Sequence, residues 1–306
     1  MNIRKYIGLA ILIMSFLTSC NTSITSKAIT QTKPAITKTI GPPKTQPNEI
    51  SIGTYNIQTF GKAKREKENI ITKLADIADD YDILAVQEIK DKEEKTATYF
   101  LEKINAKKEN NYSMIVSPRT GRTAAKEQYA FYYNNQKIEY MNESYMYPDE
   151  KDKFEREPYI AYFKTKNGNF DFILVNVHTQ PKNATQEINS LTDVIKYIQN
   201  KNPTEKDIII LGDLNADGHY YNEKNTKQPL EQEKYFWAIP DNFDTTTAKT
   251  SNTYDRIIFL RENTLEDYTK KSGIDKYYKR WTGINFKELS DHYPVWAKFY
   301  TNKDTD

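Results

Sequence analysis

Polar residues collect at the ends of apolar runs. Asn56 ends one run, Glu88 a second, His178 a third, and Asp213 with Asn215 a fourth, while Asp255 opens another and Asp291-His292 precede the last. Such groups at strand mouths would be half-buried without obvious cationic partners, which is costly for a purely structural role. Singly, each has an ordinary explanation. Gly212-Asp213-Leu214-Asn215 is built of turn formers, and a lone His178 would more often be a hydrogen-bonded core histidine. Together, oxygen ligands suited to a hard cation plus two imidazoles are the kit for metal-assisted hydrolysis of a phosphate ester. The third histidine, His219, follows Asp217-Gly218 in a loop-like stretch and reads as solvent-exposed.

These residues need strands and helices to position them. Ile50 to Asn56 alternates like a half-buried strand, Ile70, Leu74, Ile77 and Ala78 recur at helical spacing, and Asp82 to Gln87 reads as a buried strand. A helix over Thr185 to Gln199 places Ile188, Leu191, Ile195 and Ile198 on one face. Further strands are expected at Tyr129–Tyr133, Tyr159–Lys164, Phe170–Val177, Asp207–Leu211, Arg256–Leu260 and Tyr293–Tyr300. Runs of strands without intervening helices argue against a regular parallel array. Two mixed sheets packed face to face with helices outside, in one α/β domain over 49–306, fit better.

Composition narrows the chemistry. The 306 residues carry 44 Lys+Arg against 42 Asp+Glu, but six basic residues (Arg4, Lys5, Lys27, Lys33, Lys38, Lys44) and no acidic one precede Glu49. The remainder therefore holds 38 basic against 42 acidic residues, a net charge of −4. Nucleic-acid binding by bulk positive charge is disfavoured. One Cys and three His leave little room for a structural zinc module. Arg4 and Lys5 before the apolar run Ile7 to Leu17 form a signal-peptide pattern, too short for a spanning helix. It ends in Leu17-Thr18-Ser19-Cys20, which resembles a bacterial lipobox, so residues 1–19 read as a lipoprotein signal and Cys20 as the lipid-attachment site. Residues 20–48, rich in Thr, Ser, Lys and Pro, read as a flexible tether. The expectation is an exported lipoprotein of the bacterial cell envelope, held to a membrane through Cys20.

The motifs that carry the polar residues are specific. Asn56 in TYNI, Glu88 in QEI, His178 in NVHT, GDLN from Gly212, YDRI from Tyr254 and SDHYPV from Ser290 resemble the endonuclease/exonuclease/phosphatase superfamily. GR at 121 with KEQY from Lys126, FEREP from Phe154, EINSLTDV from Glu187 and WAIPDNFDTTT from Trp237 resemble its secreted deoxyribonucleases, in the family's order from about Ser51 to Phe299. The resemblance implies a two-sheet, four-layer α/β sandwich and a divalent-metal-dependent DNA endonuclease acting as a monomer. Asn56, Glu88 and Asp291 would hold Mg2+ or Mn2+, and Asp213 with Asn215 would hold a second ion or orient the scissile phosphate. His178 would pair with Glu127 and His292 with Asp255, one imidazole acting as base and the other as acid; His292 as base and His178 as acid is the working assignment, which the sequence does not order. Lys90, Arg156 and Tyr254 match positions that touch DNA phosphates. Asp244 and Thr246 match one calcium loop of the family, and Asp152 with Phe154 a shortened second one.

Departures from the family pattern bear on grip and stability. Lys90 stands in place of Arg and loses the bidentate fork. Ala125 replaces a minor-groove aromatic, and Gly218 and Asn252 replace the partners of a disulfide. Two other activities compete: a phosphodiesterase of the same superfamily acting on a phospholipid such as sphingomyelin, and a non-catalytic surface binding protein on this fold. The FEREP and EINSLTDV matches speak against the first, and the full set of costly polar groups against the second.

Overall fold

The computed structural model describes residues 35–36, 41–107, 109, 111–124, 126–222, 224–225, 227–283 and 285–306; the signal segment, Cys20 and Ala125 lie outside the described residues. Among the described residues thirteen strands are present: β1 (Ala35–Ile36), β2 (Glu49–Phe60), β3 (Ile83–Ile89), β4 (Tyr112–Val116), β5 (Gln128–Asn134), β6 (Ile138–Met146), β7 (Tyr159–Thr165), β8 (Asp171–His178), β9 (Ile208–Asp213), β10 (Tyr235–Trp237), β11 (Asp255–Leu260), β12 (Tyr268–Ile274) and β13 (Val295–Tyr300). Five helices accompany them: α1 (Lys62–Arg65), α2 (Glu68–Ala78), α3 (Thr96–Ile104), α4 (Ala184–Lys201) and α5 (Arg261–Thr264). One sheet runs β1-β12-β13-β2-β3-β5-β4 and the other β10-β11-β9-β8-β7-β6. Both are mixed: β1 with β12 and β2 with β3 in the first sheet, and β8 with β9 in the second, pair in parallel, and the remaining neighbours are antiparallel.

The layering follows from which faces are apolar. Ile70, Ile71, Leu74 and Ile77 of α2, with Phe100 of α3, join the core of the first sheet, whose strands also meet apolar side chains of the second. Ile188, Leu191, Val194 and Ile198 of α4 cover the far face of the second sheet, against Ile173, Val175 and Ile210. The result is a four-layer α/β sandwich, as the motifs led us to expect. Between the sheets, Gln87 donates to Asn176 Oδ1 (2.7 Å) and Thr54 Oγ1 (2.8 Å), a buried polar stitch close to the rim of catalytic-type residues.

Several expectations are sharpened. The strand over Ile50–Asn56 is buried on both faces rather than half-buried, since helices cover one side and the second sheet the other. Its polar members are satisfied internally: Ser51 exchanges hydrogen bonds with Asp82, and Thr54 accepts from Gln87. The last strand starts at Val295 rather than Tyr293, because Pro294 has no N–H and the Tyr293 N–H is spent on Thr245 O. Strands β4, β6, β10 and β12 and helix α3 were not foreseen, although Ala97, Phe100, Leu101 and Ile104 of α3 recur at helical spacing and pack on the core. The stretch read as tether contacts the body where it is described. Ala35–Ile36 pair with Lys271–Ser272, the buried Lys298 donates to the carbonyls of Pro43 and Lys44, and Lys137 donates to Thr45.

Candidate metal-assisted hydrolytic site

Strand register assembles the site. His178 on β8 is paired with Asp213 on β9, and Asp213 with Asp255 on β11, so three chemically active side chains sit side by side at one rim. The turn out of β9 depends on Gly212. Its φ is +146°, and a Cβ there would lie 1.8 Å from Val177 O. On the first sheet, the register of β2 against β3 shifts between Asn56 and Phe60, and Glu88 takes φ +63°. That irregularity re-aims the Glu88 carboxylate toward the rim. The Ser290 hydroxyl donates to Asn56 O (2.6 Å) and accepts from His292 N (3.1 Å), which locks the Asp291-His292 segment onto β2.

Two buried imidazole–carboxylate pairs flank one aspartate. His178 Nδ1 lies 2.7 Å from Glu127 Oε1, and His292 Nδ1 lies 2.8 Å from Asp255 Oδ2. Both Nε2 atoms stand 3.5 Å from the same oxygen, Asp213 Oδ2. The carboxylates hold each ring by Nδ1 and turn Nε2 toward the shared centre. Burial opposes the charged form of His178, but Glu127 and then Asp213 outweigh it and raise its pKa. The same contest, won by Asp255 and Asp213, raises His292 well above the usual imidazole range. Asp213 itself is lowered, since both imidazoles overcome its burial.

The oxygen donors gather on the other flank. Asn56 Nδ2 donates to Asp213 Oδ2 (2.9 Å) and Glu88 Oε1 (3.3 Å), while Asn56 Oδ1 is buried with no hydrogen-bond partner among the described residues. Burial pushes the Glu88 carboxyl up, but His178 and Lys90, together with the Thr59 N–H at 2.7 Å, hold it down to about 2. Asp255 Oδ1 and Glu127 Oε2 are likewise buried without a hydrogen bond among the described residues. Orphaned acceptors on hard oxygen donors are what a divalent cation satisfies, so the residues fit the metal that the motifs imply. Asp213, Asp255 and His292 also bring ligand atoms within 4.8 Å of one another.

The remaining expected residues fall as follows. Asp291 is half-exposed and accepts from Gln58 Nε2 (2.8 Å), and its Oδ1 is 3.9 Å from His292 Nε2. Asn215 is turned inward: its N–H donates to Asp213 Oδ1 and its Nδ2 to Thr179 O. Lys90 is not a solvated surface charge, because its Nζ is 2.7 Å from Glu88 Oε2 and 3.8 Å from Glu127 Oε2. Arg156 donates from Nε to His178 O (3.0 Å) and lies 3.5 Å from Glu127 Oε1. The Tyr254 ring stands 6.4 Å from the His292 ring. His219 is exposed, and its ring lies 4.3 Å from that of Tyr220. Asp244 Oδ1 accepts from the Thr246 and Asn252 N–H groups, while Asp152 is exposed and paired with Arg122. Gly218 and Asn252 are neighbours: a Cβ at 218 would be 3.2 Å from Asn252 Oδ1. Lys64 was missed. Its buried Nζ donates to Gln58 O and Leu289 O, and it faces both Asp291 and Glu88.

Known proteins match the chain on this architecture. The Endonuclease/Exonuclease/phosphatase family matches residues 53–292. Human deoxyribonuclease gamma is 31% identical over 268 residues, which covers 83% of this chain and 87% of that protein. Mouse deoxyribonuclease-1-like 1 is 34% identical over 250 residues, covering 80% and 78%. Among solved structures, an endonuclease/exonuclease/phosphatase family protein from Bacteroides thetaiotaomicron superposes with a TM-score of 0.61 at 15% identity, covering 83% of this chain and 95% of that one, and shares the fold. With its fold, its rim of histidines and carboxylates and these relatives in agreement, the chain belongs to the endonuclease/exonuclease/phosphatase family as one of its hydrolases.

Proposed function

We propose that this hydrolase is an exported, Mg2+-dependent endonuclease that cleaves DNA phosphodiesters by water attack. The observation that carries the reading is the convergence of both Nε2 atoms on Asp213 Oδ2 at 3.5 Å, each ring backed by its own buried carboxylate. Asn56, Glu88 and Asp291 would hold the cation, with Asp213 and Asn215 beside it; when bound, it neutralises charge that builds on the phosphoryl oxygens. With a cation bound beside Asp213 to offset the carboxylate charge that raises its pKa, His292 would take the proton from the attacking water, and Asp255 would stabilise the imidazolium that results. His178, charged and held by Glu127, gives its proton to the departing 3′ oxygen. Lys90 and Arg156 supply positive charge beside the phosphate, and Tyr254 borders His292 from the opposite side.

Plasmid nicking in Mg2+, with and without chelator, tests the activity. His178→Ala and His292→Ala each lower turnover by about 10²–10⁴-fold, the range for a lost general acid or base, while His219→Ala leaves it unchanged. Equal loss in all three variants defeats the assignment. The acid and base separate on a substrate whose 3′ bridging oxygen is replaced by sulfur, a leaving group that needs no proton. That substrate restores His178→Ala and not His292→Ala; the reverse pattern exchanges the roles. We further propose lipidation at Cys20, so that Cys20→Ser moves the protein from the membrane to the soluble fraction, and structural Ca2+ in the Asp244–Thr246 loop and beside Asp152.

A further inference from the structure

A second acidic cluster lies at the opposite end of the strands from the histidines. Asp207 immediately precedes β9, about 20 Å along the strand from Asp213 at ~3.3 Å per residue. Around it gather Glu205, Asp171 at the start of β8, Asp267 before β12, and Asp304 and Asp306 beyond β13. Asp207, Asp267, Asp304 and Glu205 are buried, and among the described residues no Lys, Arg or His nitrogen lies within ion-pair distance of any of the six carboxylates. The cost is visible in their protonation. Burial first, and repulsion by the neighbouring carboxylates second, push Asp207 up to about 8 and Asp267 to about 7, and burial with Asp171 and Asp207 nearby takes Glu205 to about 9.

Asp207 supplies the independent sign of a ligand. The residue is 1% exposed, and Oδ1 has no hydrogen-bond partner among the described residues. The Thr264 hydroxyl lies near enough to hold the Asp207 carboxyl down in part, yet neither its Oγ1 nor Asp207 Oδ1 makes a geometrically good hydrogen bond among the described residues. Asp207, Glu205 and Asp306 each offer a carboxylate oxygen within 4.8 Å of the other two. The rest of the cluster is braced by backbone: Asp207 N donates to Glu205 Oε1 (2.7 Å), Lys206 N to Asp306 Oδ2 (2.9 Å), Asp306 N to Asp304 Oδ1 (3.0 Å) and Asp171 N to Asp304 Oδ2 (3.2 Å).

We propose that Glu205, Asp207 and Asp306 form a calcium-class cation site that fastens the segment after β13 to the start of β8 and β9. All-oxygen donors, of which one is deeply buried and one is on an exposed segment able to adjust, suit an ion bound at about 2.3–2.6 Å in loose geometry better than Mg2+, which demands a tight octahedron. The site is remote from the histidines, so its role is structural.

Equilibrium dialysis of the full chain against Ca2+ at pH 7, with differential scanning in Ca2+ and in chelator, tests it. Asp207→Asn and Asp306→Asn each bind one Ca2+ fewer than the wild type and lose part of the Ca2+-induced rise in Tm, whereas Asp244→Ala keeps the contribution of this site. Should Asp207→Asn fail to fold, the exposed Asp306→Asn decides alone, and it keeps full nicking activity in Mg2+. An unchanged ion count and an unchanged Tm increment in Asp306→Asn overturn the site and leave the cluster as carboxyl groups sharing protons.

Discussion

Lys64 and Glu187 show how side chains outside the reacting set hold the site. Lys64 bridges the end of β2 to the segment that delivers Asp291, through Gln58 O and Leu289 O, and burial brings its pKa down to about 8 against the pull of Asp291 and Glu88. Lys64→Met removes both donors and leaves two carbonyls short of a partner. It is expected to cost about 1–3 kcal/mol, read from the urea midpoint, and to lower turnover by displacing Asp291. Glu187 works on the other flank, accepting from Glu155 N (3.2 Å) and Gln180 N (3.1 Å), which secures the segments of Arg156 and His178. Burial raises its pKa from 4.5 to about 7. The folded chain keeps this proton where the unfolded chain has released it, so its contribution is full below 4.5 and is lost as the pH rises through about 7. The fall in Tm between those values should be shallower in Glu187→Gln, and an identical slope in both proteins would remove Glu187 from the account. The histidines and carboxylates were legible because their types are improbable at strand mouths. Lys64 and Gln58 were not, since their contacts involve backbone carbonyls and residues more than 200 positions away.

Elements were legible where one face had to be apolar. The apolar face of α4 and the buried runs of β3 and β9 announce themselves, and the helix over 184–201 lies within two residues of its expected ends. Strand β12, YTKKSGI, and strand β6, mostly half-buried, hide because pairing with β13 and β7 holds them rather than their own apolar period. The most demanding local feature at the site is the close approach of β8 and β9 at Gly212, one residue before Asp213. Gly212→Ala would drive a methyl into Val177 O and force a β-carbon into a backbone region it avoids. A loss of about 3 kcal/mol or more is expected in chemical denaturation, well above the usual surface substitution, with activity falling because the His178–Asp213 pairing is what shifts.

At the scale of the molecule, charge arithmetic and site geometry agree. A body of net charge −4 cannot hold DNA by a broad positive field, and Lys90 and Arg156 are both partly engaged by carboxylates. Phosphate contacts are therefore few. If the proposed function holds with about two of them, the affinity for duplex DNA in Ca2+ should fall with a log–log salt slope of roughly −2, at about −0.9 per phosphate; a slope steeper than about −5 would reveal a clustered basic surface that the net charge conceals. The direction of the strands has a further consequence. The chain enters β2 and leaves β13 side by side, Thr301 N donating to Asn48 O at 2.9 Å, at the end of the sandwich away from the histidines. Whatever is coupled through the residues after 301, a bead or a fluorophore, is joined to the end away from the histidines, so an enzyme immobilised there would present its reactive rim to the bulk solution. A polymer arriving from solution can meet it there, while a headgroup lying in the supporting surface would be on the wrong side.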